Sequence, residues 1–263
     1  MVRSSEWVAF AYFLYIAVAA LLVPARAAKR IAVCAAALAC AAGVGAGVNA
    51  QTAVRDWLPA LHILAAYYVT GGLFVAPSAR LERWLAGWDM RLLGPAPTRF
   101  ARWPRAPLAF LEIVYMGCFL LVPGGFAILA LGGHAADANR YWTMVVSAEL
   151  AAFAPLSVFQ TRPPWLVEGK PRLADEAVHR AATGMVERVS IRANTFPSGH
   201  VAGSLAVALA VSSAMPTAGL VLLAVAVSIA VACVVGRYHY VVDVLAGALL
   251  AVAIRGLVAA GGV

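Results

Sequence analysis

Eight long apolar runs constrain this chain more than any other feature. They cover residues 6–24, 31–50, 57–77, 107–131, 141–159, 199–214, 217–235 and 240–258. A helix that crosses a bilayer needs ~20 mostly apolar residues. Inside lipid every backbone N–H and C=O must be satisfied internally, so spanning segments are helices or a closed barrel. These runs are too continuous for the two-residue alternation of barrel strands. The expected fold is therefore all-α, a polytopic transmembrane helix bundle with about eight spans. Composition agrees, since 63% of the 263 residues are hydrophobic and 12% charged, against roughly 45–50% and ~25% in soluble domains. Cys34, Cys40, Cys118 and Cys233 all lie in apolar runs, without zinc or CxxC spacing, and read as small buried hydrophobes. The first run has no clear small-residue cleavage site and reads as a retained span.

The connections carry the charge. In the stretch 78–93, "SARLERWLAGWDMRLL", Leu81, Trp84, Leu85, Trp88 and Leu92 recur at helical spacing, with Arg80, Arg83, Asp89 and Arg91 on the other side. That pattern predicts an amphipathic helix at the membrane interface. A second long connection, 160–197, is charged and rich in proline. With eight spans, the loops after the odd-numbered spans share one face. Arg3, Arg55, Arg140 and Arg255 fall on the opposite face, which leaves 16 of the 20 Lys and Arg residues on this one. The positive-inside rule then places the basic face in the cytoplasm, and a bacterial inner membrane is the expected location. The net charge of +8 reads as a topology and lipid-headgroup signal. Nucleic acid is not an expected partner, because the basic residues are scattered over several loops.

Three short stretches fall on that basic face. "QTRPPW" at 160–165 contains Arg162, whose planar guanidinium suits phosphate oxygens; alone it is an ordinary positive-inside arginine. "FPSGH" at 196–200 places Ser198 where a helix N-cap is favoured. It puts Gly199 where a ligand can approach backbone and His200 in the first turn. A helix start favours anions, although a plain cap with an incidental histidine fits these residues equally. "GRYHYVVD" at 236–243 sets His239 and Asp243 four apart, on one helix face. A carboxylate beside one imidazole nitrogen leaves the other free as base or nucleophile; the alternative is a structural pair at the interface. Taken together, the stretches supply cations, a helix start and two histidines, the parts that metal-free phosphoryl transfer needs. No acidic cluster suggests a metal, and no cofactor is expected.

These motifs resemble the type-2 phosphatidic acid phosphatases, which share their site with vanadium haloperoxidases. The family's Arg-Pro, Pro-Ser-Gly-His and His-x-x-x-Asp elements correspond to Arg162-Pro163, Pro197-Ser198-Gly199-His200 and His239…Asp243, in the same order. "RDWLP" at 55–59, "ERW…D" at 82–89 and "FLEIVY" at 110–115 resemble its bacterial membrane branch. "GRYHYVVDVLAG" resembles the subgroup that includes inositol-phosphorylceramide synthases. The resemblance implies a six-helix phosphatase-like core within 53–263, preceded by two helices in 1–52. It implies that His239 attacks phosphorus, Asp243 orients it and His200 protonates the leaving oxygen. Arg162, Ser198 and Gly199 would hold the phosphate. Two positions depart from the pattern: Pro155 stands where the family often has Lys, and Cys233 where it usually has Arg. Arg237, two residues before His239, is the cation this sequence offers instead.

The expected function is an integral membrane lipid phosphatase acting on a lipid phosphate or pyrophosphate through a phosphohistidine, without metal. One alternative is a phosphotransferase that passes the phosphoryl or headgroup to an alcohol such as inositol. Another is a non-catalytic transporter or scaffold for lipid phosphates. Glu112 and Glu149, inside apolar runs, read as structural groups in the bundle interior, with substrate contact as the alternative. His62 and His134 read as packing or loop residues, and His179 is a candidate for headgroup contact.

Overall fold

The computed structural model describes residues 1–95, 99–100, 102–169 and 176–262, apart from the side chains of 176–180, 182 and 183. The headgroup contact considered for His179 lies outside these described side chains. Ten helices organise the described chain: α1 (Ser4–Leu22), α2 (Ala27–Gly47), α3 (Leu58–Gly71), α4 (Ala79–Leu93) and α5 (Arg105–Leu131), followed by α6 (Ala138–Phe153), α7 (Glu176–Val189), α8 (Gly199–Ala214), α9 (Pro216–Val235) and α10 (Val241–Ala260). The fold is an all-α polytopic bundle.

Five of these helices, α1, α2, α5, α9 and α10, are long and apolar enough to cross a membrane, which fits an integral membrane protein. The other three expected spans form helices too, but shorter ones. α3 has 14 residues and ends at a Gly71-Gly72 pair. α6 has 16 and passes into a 3-10 turn, Ala154–Ser157, that contains Pro155. α8 has 16. At 1.5 Å per residue, 16 residues cover ~24 Å, less than the ~30 Å hydrocarbon core. α9 and α10 turn Leu220, Val221, Leu249 and Val252 outward, the side that lipid solvates.

α8 lies at the centre. It packs on α5, α6, α9 and α10, and Val201, Ala202, Ala206, Val207 and Val211 are fully enclosed. One apolar cluster joins Phe13, Ile16 and Ala20 of α1 to Trp142 and Val145 of α6 and Ala206 of α8. The first 52 residues therefore share a core with the rest of the chain. A second cluster gathers Leu108, Tyr115, Val201, Ile229, Cys233 and Val244. The start of α8 sits where the two clusters meet.

α4 differs from expectation in its orientation. Ser78 caps it, accepting from the Leu81 N–H at 3.4 Å. Its buried residues are Glu82, Leu85 and Asp89, while Trp84, Met90 and Leu92 are exposed. Periodicity puts Asp89 on the polar side, but the structure turns it inward with Glu82. Both carboxylates have cationic partners in the core-side loops, and pairing removes much of the cost of burying a charge.

Candidate active site

Three backbone hydrogen bonds stitch the motif stretches together. The Asn194 N–H donates to the Thr161 carbonyl at 2.8 Å, tying the loop before His200 to the loop that carries Arg162. The Trp165 N–H donates to the Arg237 carbonyl at 3.0 Å, and the Ser198 N–H to the Asp243 carbonyl at 3.0 Å. Stretches separated by tens of residues thus form one layer above α8 and α10.

His200 and His239 face each other in this layer. His200 Nδ1 lies 3.3 Å from His239 Nε2. His239 Nδ1 lies 3.4 Å from Asp243 Oδ2. The same Oδ2 accepts from Asn194 Nδ2 at 2.9 Å and from the Tyr240 N–H at 3.0 Å. Asp243 Oδ1 and His239 Nδ1 are both buried without a hydrogen-bond partner. The His239–Asp243 contact is therefore a close approach of imidazole and carboxyl without a formed hydrogen bond. On the other side, the Tyr115 hydroxyl lies 3.5 Å from His200 Nε2, and Tyr115 stacks on both His200 and Tyr238. One polarity fits the row: Tyr115 O–H to His200 Nε2, His200 Nδ1–H to His239 Nε2, and the His239 Nδ1–H left on the side of Asp243. Burial pushes the His239 imidazole down to about 3, so it is neutral at physiological pH, the form in which a ring nitrogen is nucleophilic.

The residues nominated for phosphate are placed differently. Ser198 is fully buried and its hydroxyl accepts from the Val201 N–H at 3.4 Å, an N-cap. The Gly199 N–H is taken by Thr195 Oγ1 at 3.3 Å and the Ser198 N–H by the Asp243 carbonyl at 3.0 Å. Much of the first-turn donor set is thus used within the chain. Arg162 is half-buried and gives its fork to Glu82, with Nε and Nη2 donating at 2.9 and 2.8 Å. Arg162 beside it holds the Glu82 carboxyl below its usual 4.5.

Arg237 departs furthest from expectation. It is buried, and Nε and Nη2 donate to Glu168 at 3.0 and 2.7 Å while Nη1 donates to Asp89 at 2.6 Å. All three guanidinium nitrogens donate to carboxylates, so Arg237 is tied into a network of buried ion pairs. Its φ of 58° puts a non-glycine residue in the left-handed region, a conformation that costs ~1–2 kcal/mol and is held here by the two ion pairs. Asp89 Oδ1 also accepts the Val241 N–H at 2.8 Å, at the first residue of α10. Arg237 is the lock between α4, the 160s loop and α10.

Sequence reasoning missed Asn194 and Thr195, although both belong to the "NTFPSGH" run that ends at His200. It also missed Tyr115 as a neighbour of His200, and the pairing roles of Glu82, Asp89 and Glu168. A cleft lined by Tyr115, Pro163, Trp165, Thr195, His200 and His239 opens over the histidine pair.

Residues 138–261 match the family model described as the PAP2 superfamily. No curated protein and no solved structure matches the chain. The matched stretch runs from α6 to the end of α10 and contains all three motif stretches. The match supports the PAP2 superfamily for this part of the chain, and that family points to phosphatase or phosphotransferase chemistry on phosphate esters.

Proposed function

We propose that the protein is an integral membrane lipid phosphatase that works through a phosphohistidine on His239. The observation that carries this reading is the row Tyr115–His200–His239–Asp243, with His200 Nδ1 and His239 Nε2 3.3 Å apart. Without substrate, the His239 lone pair faces His200. A phosphate in the cleft replaces that contact. His239 Nε2 attacks phosphorus as the bond from phosphorus to the leaving oxygen breaks. His200, protonated on both nitrogens beside the phosphate charge, gives its Nδ1 proton to the leaving oxygen and releases an alcohol, or a phosphate ester if the substrate is a pyrophosphate. Asp243 balances the charge on phosphorylated His239. Water then attacks phosphorus, the P–N bond breaks, and His200 takes up the water proton. No step requires a metal. Of the nominated phosphate ligands, Arg162 keeps Nη1 outside its bonds to Glu82 and is the cation assigned to the phosphate. Ser198 and Gly199 act by fixing the first turn of α8, and so His200.

The test is purified protein with a panel of lipid phosphates and lipid pyrophosphates, with and without inositol. Phosphate release, with an acid-labile phosphoryl label that His239→Ala abolishes, is the expected outcome. A new phosphoester in place of free phosphate would make the protein a transferase, as the likeness to inositol-phosphorylceramide synthases would have it. Lipid movement that survives His239→Ala without phosphate release would make it a carrier. The proposed cytoplasmic placement of the site rests on the asymmetry of Lys and Arg. Val167→Cys, at an exposed position, should resist an impermeant thiol reagent in intact cells, and ready labelling would reverse the orientation.

A further inference from the structure

Behind His200 lies a second space. A cavity of about 370 Å³, open on one side, is bordered by α3, α5, α6 and α8, with Leu64, Phe119, Pro123, Glu149, Phe153 and His200 among its walls. Its volume falls within the ~300–1,000 Å³ of small-molecule sites. It shares Tyr67, Phe119, Thr195 and His200 with the cleft over the histidines, so the two spaces adjoin. Its walls are almost wholly apolar, and Pro123 leaves the Phe119 carbonyl without its helical donor at this wall.

Glu149 does not fit such a wall unless something meets it. Its side chain is more than nine-tenths buried. Among the described residues it makes no hydrogen bond and no ion pair, whereas Glu6, Glu82, Asp89 and Glu168 are each held by an arginine. The carboxyl rests in a notch on α8. A methyl on Gly203 would stand 1.8 Å from Glu149 Oε1, and one on Gly199 would stand 3.2 Å from Oε2. Gly203 thus admits the carboxyl group to the face of α8, one turn from His200, while Gly199 chiefly makes room for the Phe153 ring, 2.6 Å from where its methyl would stand. An ionisable group in a membrane helix interior is costly, and usually faces a partner or a ligand path.

We propose that this cavity takes the apolar chain of the phosphate-bearing substrate, and that Glu149 is a specificity-determining residue which hydrogen-bonds a hydroxyl or amide N–H carried near the phosphate end of that chain. The reach fits: the notch is about one helical turn, ~5 Å, from the histidine layer, so the polar group sits a few bonds from the phosphate. A plain alkyl or prenyl phosphate would leave Glu149 unpaired and bind less well. The inference rests on the lipid-phosphate reading above, and it names what that lipid carries.

The test is binding rather than turnover. Full-length His239→Ala protein in detergent, which lacks the proposed nucleophile, is titrated with dodecyl phosphate and with the same phosphate carrying a hydroxyl on its second carbon. The hydroxylated ligand is expected to bind about tenfold more tightly, the order of one hydrogen bond. Adding Glu149→Leu should bring the two affinities to within about twofold, while Glu149→Gln, which still accepts through Oε1, should keep a preference. Gly203→Ala should also remove the preference, because its methyl displaces the carboxyl with Glu149 still present. Equal affinities with Glu149 in place overturn the proposal, as does a preference that survives both Glu149→Leu and Gly203→Ala. If the preference holds but wild-type protein releases no phosphate from any lipid, the phosphatase reading falls and the subsite stands. If lipid phosphates turn over with no preference, the subsite alone falls.

Discussion

The layer above α8 and the cavity beneath it treat carboxylates in opposite ways. In the layer, Glu82 holds Arg162, and Asp89 and Glu168 together hold Arg237. In the cavity, Glu149 has no described partner although it is as enclosed as Glu82. The first arrangement spends its charges on fixing loops to helices. The second leaves one polar group facing an apolar space. Structural charge and ligand-directed charge are therefore separable here by partner alone, with the two histidines on the boundary between the regions.

The largest expected effects lie on that boundary. His239→Ala should lower phosphate release by roughly 10⁴-fold or more, the scale seen when an enzyme loses its nucleophile, while lipid binding persists. His200→Ala should cost about 10²–10⁴-fold. Its loss should be smaller for a substrate with an acidic leaving group such as p-nitrophenyl phosphate, because that oxygen departs without a proton. Equal losses on both substrates would remove the acid role from His200.

Next come the paired charges. Asp89→Ala takes a carboxylate from Arg237 and the acceptor from the Val241 N–H. Breaking a buried pair from one side typically costs ~3–5 kcal/mol, so thermal unfolding in detergent should fall sharply, and phosphate release with it as α10 and His239 lose their anchor. Unchanged unfolding would mean that the layer is not held by its ion pairs, and the contrast with Glu149 would vanish.

How much of this was legible in the sequence follows from range. His200, His239 and Asp243 could be nominated because each motif is local, and the shared face followed from counting spans. That Arg162 would be met by Glu82, 80 positions earlier, depends on how α4 docks, which periodicity does not encode. For the same reason Asp89 was sorted with the exposed arginines of its helix. Hydropathy marked α3 and α6 as spans but could not show that Gly71-Gly72 and Pro155 cut them short, whereas the bounds of α8 and its cap at Ser198 were legible. The spacing Gly199-x-x-x-Gly203 was visible in "SGHVAGS", yet only the packing of α6 on α8 shows that Glu149 fills the notch.

A smaller effect separates the two regions by acid. Arg162 depresses the Glu82 pKa below its ordinary 4.5. A carboxyl depressed on folding contributes stability that is fully present above the unfolded pKa and is lost as pH falls through the folded value. Wild-type protein should therefore loosen around α4 below about pH 4.5. Glu82→Gln should be less stable near neutrality and show a shallower acid dependence. Hydrogen exchange of α4 amides between neutral pH and pH 3 reads both; an acid profile unchanged by Glu82→Gln would sink the assignment.

The smallest effect, and the sharpest contrast, is expected at Glu149. Removing one partner of a hydrogen-bonded group is costly because the other is left unsatisfied, but Glu149 has no described partner to orphan. Leucine is of similar size and removes a polar group buried without a hydrogen bond, a change worth ~1 kcal/mol in favour of folding. Glu149→Leu should thus raise the unfolding temperature slightly in ligand-free detergent, where Asp89→Ala lowers it by far more. Addition of the hydroxylated dodecyl phosphate should then stabilise wild-type protein more than Glu149→Leu, since only a ligand bound to the native state shifts its stability. A fall in unfolding temperature comparable to that of Asp89→Ala would show that Glu149 is a structural charge like the rest, and that the cavity is packing space rather than a place for substrate.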